Sequence, residues 1–220
     1  MQIIIQCAAT KQPNAPSLQS LRGKIAVFVA QPDIAPPARG CIFCRPDDLI
    51  PGEDQTWREL LLLKQTDLSS TLFPAWQLYR PRSQPEIYNK LASHFGPKNC
   101  FILSAGWGLV RGDFRLPDYD ITFSTAPKVA AYKRRKQGAA YADFKQLPKT
   151  NEPIIFLGGQ PYLPFLSQII GDRRAVTVVA RNKKMVLPQE SWNQIIFETT
   201  ASTNWHYSAA LSILKGKLKP

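Results

Sequence analysis

Three stretches of the chain bring reactive side chains to the end of an apolar run. FILSAGWGLVRGDFRLPDYDITFS (101–124) stops being apolar at Ser104-Ala105, turns around Trp107 and Gly108, and then presents Asp118, Tyr119 and Asp120. IIIQC (3–7) ends in Cys7, with Lys11 four residues on, and PIIFLGGQPY (153–162) ends in Gly158-Gly159 with Gln160 and Tyr162 beyond. Ser104 or Cys7 could act as a nucleophile, but each needs a base and the sequence names none. Asp120 beside a nucleotide could orient water for cleavage of a glycosidic bond. On an extended segment Asp118 and Asp120 point to opposite faces, which separates them as a pair. Lys11 offers a cation, and Trp107, Tyr119 and Tyr162 offer aromatic faces, so a base, nucleoside or phosphate is the ligand these groups suit. The plain alternative is that the glycines shape turns and the aromatic residues pack. No phosphate-loop, GxSxG or HExxH motif is present.

The elements that must carry these groups follow from periodicity. Residues 3–7, 24–31, 100–105, 153–159 and 175–180 read as strands, several of them apolar throughout, as in a parallel sheet covered on both faces. Helices are expected over 56–65, with Thr56 and Glu59 as a capping box, and over 85–95, 126–147 (interrupted at Gly138), 161–170 and the end of the chain. WNQIIFETT is open between strand and short helix. Pro32, Pro36, Pro37, Pro46 and Pro51 make 32–56 an irregular insertion. The expected architecture is a single α/β domain: a mostly parallel central sheet, helices on both faces and the Pro-rich insertion. In such sheets ligands bind outside the carboxyl ends of the strands, where Cys7, Ser104 and Gly158-Gly159 would converge.

Charge points to the partner. Lys plus Arg number 28 against 16 Asp plus Glu, a net +12. That surplus favours a polyanion. Lys128, Lys133, Arg134, Arg135 and Lys136 fall in one stretch without an acid; Arg173-Arg174, then Arg181, Lys183 and Lys184, form further groups, and Lys215, Lys217 and Lys219 a tail. Spread along a phosphate backbone, such charges gain affinity by counterion release; otherwise they are solvated faces. No apolar run approaches the ~20 residues that cross a bilayer, and MQIIIQ lacks a basic leader region, so the expectation is a cytoplasmic protein without a membrane partner.

Of the cysteines Cys7, Cys41, Cys44 and Cys100, only Cys41 and Cys44 are spaced as a pair, and the histidines are His94 and His206. A structural zinc site needs a second pair or nearby histidines. We therefore expect no metal and no cofactor, with the insertion held by its prolines and by Ile42, Phe43 and Leu49.

QCAATK, PAWQLY, FILSAGWGLV, LPDYDITF, FLGGQPY and NWHYSAALSIL, taken in order, resemble the YaaA-like family, over 1–11, 74–124 and 153–166 and more weakly to the end. The resemblance implies an α/β fold, adds Tyr79 to the candidate ligand-binding residues, and implies association with nucleic acid, DNA ahead of RNA, in stress protection or in DNA or phage metabolism. The chain departs from the peroxide-stress branch in carrying Cys7 at the first turn, in being shorter and in showing no helix-hairpin-helix pattern. Residues 12–73 have no counterpart. The second reading is an enzyme acting on a nucleobase or nucleotide by glycosidic hydrolysis or base exchange.

Overall fold

The computed structural model describes residues 1–20, 22–173 and 175–219; Arg174, one of the basic residues singled out above, lies outside them. Its strands are β1 (Gln2–Gln6), β2 (Ile25–Phe28), β3 (Cys41–Cys44), β4 (Phe73–Pro74), β5 (Cys100–Ser104), β6 (Gly108–Arg111), β7 (Arg115–Leu116), β8 (Phe144–Lys145), β9 (Ile154–Leu157), β10 (Val176–Arg181) and β11 (Asn193–Phe197). Its α-helices are α1 (Trp57–Thr66), α2 (Ala75–Leu78), α3 (Ile87–Phe95), α4 (Leu163–Ile170) and α5 (Trp205–Leu214).

A seven-stranded sheet in the order β11-β10-β9-β1-β5-β6-β8 forms the centre. β5, β1, β9, β10 and β11 run parallel, while β6 turns back antiparallel to β5 and β8 follows β6. β5 and β9 are buried along their whole length, as their unbroken apolar sequences require. The crossover through α3 runs from β1 to β5, and that through α4 from β9 to β10, in opposite directions along the sheet. Right-handed connections therefore put α3 and α4 on opposite faces. α5 returns to pack on α3, β9 and β10.

The α/β class with a mostly parallel sheet is as the periodicity requires, and Thr56 and Glu59 form the expected capping box at the start of α1. Two local expectations need correction, and one open reading is decided. β2 does not join the central sheet; it pairs in parallel with β3 in a small sheet of its own, so the Pro-rich stretch contains a strand between its prolines. WNQIIFETT, open between strand and short helix, supplies β11, added in parallel to β10. The helix expected over 126–147 is replaced by a 3-10 turn at Ala131–Lys133 and the short β8. Its Ala/Lys-rich composition favours a helix, but tertiary contacts override propensity here. Arg135 is drawn inward to Asp143, Arg134 bonds the carbonyls of Ala126 and Val129, and Gly138 turns the chain at φ +74°.

Candidate functional site

β1 is where the sheet changes direction: the chain leaves it toward β5 and later returns on its other side as β9. The crevice outside β1 and β9 is the place where open α/β sheets bind ligands. The Gly159 N–H donates to Gln6 Oε1 at 2.7 Å, which ties the turn after β9 to the end of β1. Gly158 is required by packing, since a Cβ there would lie 2.4 Å from the Phe156 ring.

Beneath this edge lies a closed polar layer. Ser104 Oγ donates to Tyr119 OH (2.8 Å), and Tyr119 OH meets Tyr79 OH at 2.7 Å. Ser104 Oγ also accepts the Gly106 and Trp107 N–H groups (3.2 and 3.1 Å), so the hydroxyl closes the turn between β5 and β6. Cys7 Sγ meets Tyr162 OH at 3.3 Å, and Tyr88 OH donates to the Gln6 carbonyl at 2.6 Å. Burial pushes the Tyr79, Tyr88, Tyr119 and Tyr162 phenols well above their usual range, so all stay protonated. Ser104 is 0% exposed, and among the described residues neither it nor Cys7 bonds a histidine or carboxylate that could act as base.

Above that layer is a polar cleft of about 220 Å³ lined by Ala9, Lys11, Gln12, Asp118, Tyr119 and Asp120. Backbone pairing builds both walls. Gln12 N–H donates to the Leu78 carbonyl and Arg80 N–H to the Thr10 carbonyl, which sets Lys11 opposite Tyr79. Asp118 N–H and Asp120 N–H donate to the carbonyls of Pro16 and Phe28 (2.7 and 2.8 Å). The segment is irregular rather than a strand, so alternation does not apply and both carboxylates border one cleft. That corrects the expectation that they would face apart. The Lys11 side chain is only 8% exposed: its ammonium donates to the Tyr119 carbonyl, lies 4.2 Å from the Tyr119 ring centroid, and is 3.8 Å from Asp118 Oδ1. Burial draws the Lys11 amine below its usual pKa, against the opposing pull of Asp118. Asp120 pairs with Lys133 at 2.5 Å.

The structure thus brings Lys11, Tyr119 and Asp120 to one cleft and puts Cys7, Ser104, Tyr79 and Tyr162 in the layer below it. Trp107 and Gly108 belong to neither. Trp107 is fully buried, stacked on Phe144 (6.4 Å, 12°) and edge-on to Phe28. Gly108 has φ +92°, and a Cβ there would meet the Phe144 backbone at 2.6 Å, so β6–β8 pairing demands the glycine. Gln12 and Asp118 complete the cleft and were legible only as neighbours of Lys11 and Asp120.

The basic residues separate in the same way. Arg135 is 6% exposed; its guanidinium bonds both oxygens of Asp143 (2.9 and 2.6 Å) and the Ala105 carbonyl, and lies 3.8 Å from the Tyr141 ring centroid. It is part of the interior and is removed from the candidate phosphate contacts. Arg134 is half-buried against backbone carbonyls, and Arg181 donates to the Ser202 carbonyl. Lys128, Lys136, Lys183 and Lys184 are exposed, and among the described residues none has a carboxylate within ion-pair distance. Gln137 Nε2 donates to the Pro161 carbonyl and Gln160 Nε2 to the Val186 carbonyl (both 2.8 Å), which brings both basic loops beside the turn after β9.

Among the described residues no three His, Cys, Asp or Glu side chains come together as a metal-holding group. Cys41 and Cys44, three apart on β3, fall on opposite faces of that strand. Comparison with protein-family models, with curated proteins and with solved structures finds no match for the chain.

Proposed function

We propose that this protein binds nucleic acid along the carboxyl edge of its central sheet, with one nucleotide seated at the mouth of the Lys11/Asp118/Asp120 cleft. The observation that carries the reading is the placement of Lys128, Lys136, Lys183 and Lys184, exposed and without an ion-pair partner among the described residues, on the two loops that flank the turn after β9. Cations whose charge is not spent inside the fold remain able to release counterions from a phosphate backbone. The net +12 and the YaaA-like motifs support the same reading, and a role in stress protection or in DNA or phage metabolism accords with it.

Fluorescence polarisation with short single-stranded and duplex oligonucleotides, titrated over salt, tests it. Binding should weaken steeply as salt rises. The combined Lys128→Gln, Lys136→Gln, Lys183→Gln, Lys184→Gln variant should lower the salt slope by about 0.9 per lost contact on duplex and about 0.7 on single strands. Absence of binding at low salt defeats the reading.

A second reading, chemistry on the bound nucleotide, draws on the two carboxylates and the buried ammonium that share the cleft. It assigns proton transfer to Asp118 or Asp120 rather than to Ser104 or Cys7. Incubation with a panel of nucleotides and modified oligonucleotides, read by mass spectrometry, separates the two, because a binding protein leaves every substrate unchanged.

A further inference from the structure

The cleft is too small for a whole nucleotide and is built of groups that a phosphate avoids. Its volume of about 220 Å³ lies below the ~300 Å³ at which pockets begin to bury a drug-sized ligand. Asp118 and Asp120 both stand at its mouth with half-exposed side chains. Each has one oxygen engaged within the chain: Asp118 Oδ1 accepts the Tyr119 N–H at 2.9 Å and faces Lys11, and Asp120 Oδ2 takes Lys133. The second oxygen of each, Asp118 Oδ2 and Asp120 Oδ1, has no hydrogen-bond or ion-pair partner among the described residues. Among the described residues Lys11, although buried, makes one hydrogen bond with its three N–H donors. Gln12 accepts from Arg80 through Oε1 and keeps its amide donors. The unspent set is two carboxylate acceptors, an ammonium donor and an amide donor around a small space.

We propose that this cleft recognises the 2′,3′-diol of a strand's 3′-terminal ribose, so that the nucleotide bound at the carboxyl edge is a terminal ribonucleotide. Two adjacent hydroxyls donate to Asp118 Oδ2 and Asp120 Oδ1 and accept from Lys11, while the carboxylates keep phosphates out on the lysine rim. A carboxylate at the switch point of an open sheet is the group that suits a 2′-hydroxyl, and a 2′-hydroxyl is what distinguishes RNA from DNA. A site built to bond a hydroxyl discriminates against the analogue that lacks it, because its polar groups are then left unpaired.

This inference rests on the nucleic-acid reading, and the test separates the two. Matched single-stranded ribo- and 2′-deoxyribo-oligonucleotides, labelled at the 5′ end and with a free 3′ end, are titrated against the full chain by fluorescence polarisation, alongside Asp118→Ala and Asp120→Ala. The ribo form should bind at least about tenfold more tightly. Each alanine variant should weaken the ribo form and leave the deoxyribo form equal or tighter, since a negative charge has left the rim. That opposite movement is not what a loss of folding would give. Equal binding of both oligonucleotides, still salt-dependent and still weakened by the lysine substitutions, overturns the diol inference and leaves the nucleic-acid reading standing. Alanine variants that weaken both oligonucleotides alike also overturn the inference, and no binding of either at low salt overturns both.

Discussion

The two ends of the central sheet each carry a concavity and a set of cations, yet they are built differently. At the amino end, Lys145, Leu147, Lys149, Thr150, Asn151, Ile169, Ile170, Asp172 and Arg173 surround a groove of about 520 Å³, more than twice the volume of the carboxyl-end cleft. Its guanidinium is already spent, because Arg173 donates to the carbonyls of Pro148 and Thr150 and ties two loops together. Its floor is Leu147, Ile169 and Ile170. Among the described residues, the smaller cleft has a buried ammonium with unused donors, carboxylates with unused oxygens, and lysines without ion-pair partners on the loops beside it. Volume and uncommitted polar groups point to opposite ends, and the proposed function rests on the polar groups.

That contrast can be broken by showing that the carboxyl end is not held together as described. Arg135 and Asp143 form a buried ion pair beneath it, so Arg135→Ala leaves an uncompensated carboxylate and should lower unfolding stability by about 3–5 kcal/mol in urea titrations. Lys136→Ala, one residue along and exposed, should stay within about 0.5 kcal/mol. Equal effects at the two positions would mean that Arg135 faces solvent after all.

A smaller effect distinguishes the closed layer from the cleft above it. Ser104→Ala removes the acceptor of two turn N–H groups and the donor to Tyr119, and should cost about 1–3 kcal/mol of stability. Nucleic-acid affinity of the variant that remains folded should be unchanged. A variant of wild-type stability that loses binding or turnover would make Ser104 a functional hydroxyl and merge the two layers.

The sequence made the strand ends legible because unbroken apolar runs such as CFILS and IIIQ have few alternatives to a sheet buried on both faces. Lys11, Tyr119 and Asp120 could be placed together because each follows such a run. Side-chain depth was not legible. Arg134, Arg135 and Lys136 are adjacent and alike in composition, yet only the inward one meets Asp143, a contact that depends on Gly138 turning the chain between them. Trp107 suffers the same ambiguity, since an aromatic residue in a glycine-rich turn reads equally as a stacking platform and as the core residue it is. Asp118 and Asp120 were separated by an alternation rule that holds only on a strand, and their segment is shaped instead by hydrogen bonds to Pro16 and Phe28.

The proposed function requires nucleic acid to lie on the carboxyl end and not on the larger amino-end groove. Acetylation of surface lysines, quantified residue by residue by mass spectrometry with and without saturating oligonucleotide, tests it directly. Lys128, Lys136, Lys183 and Lys184 should be protected, with Lys145 and Lys149 modified equally in both samples. Protection of Lys145 and Lys149 with the other four unchanged would contradict it.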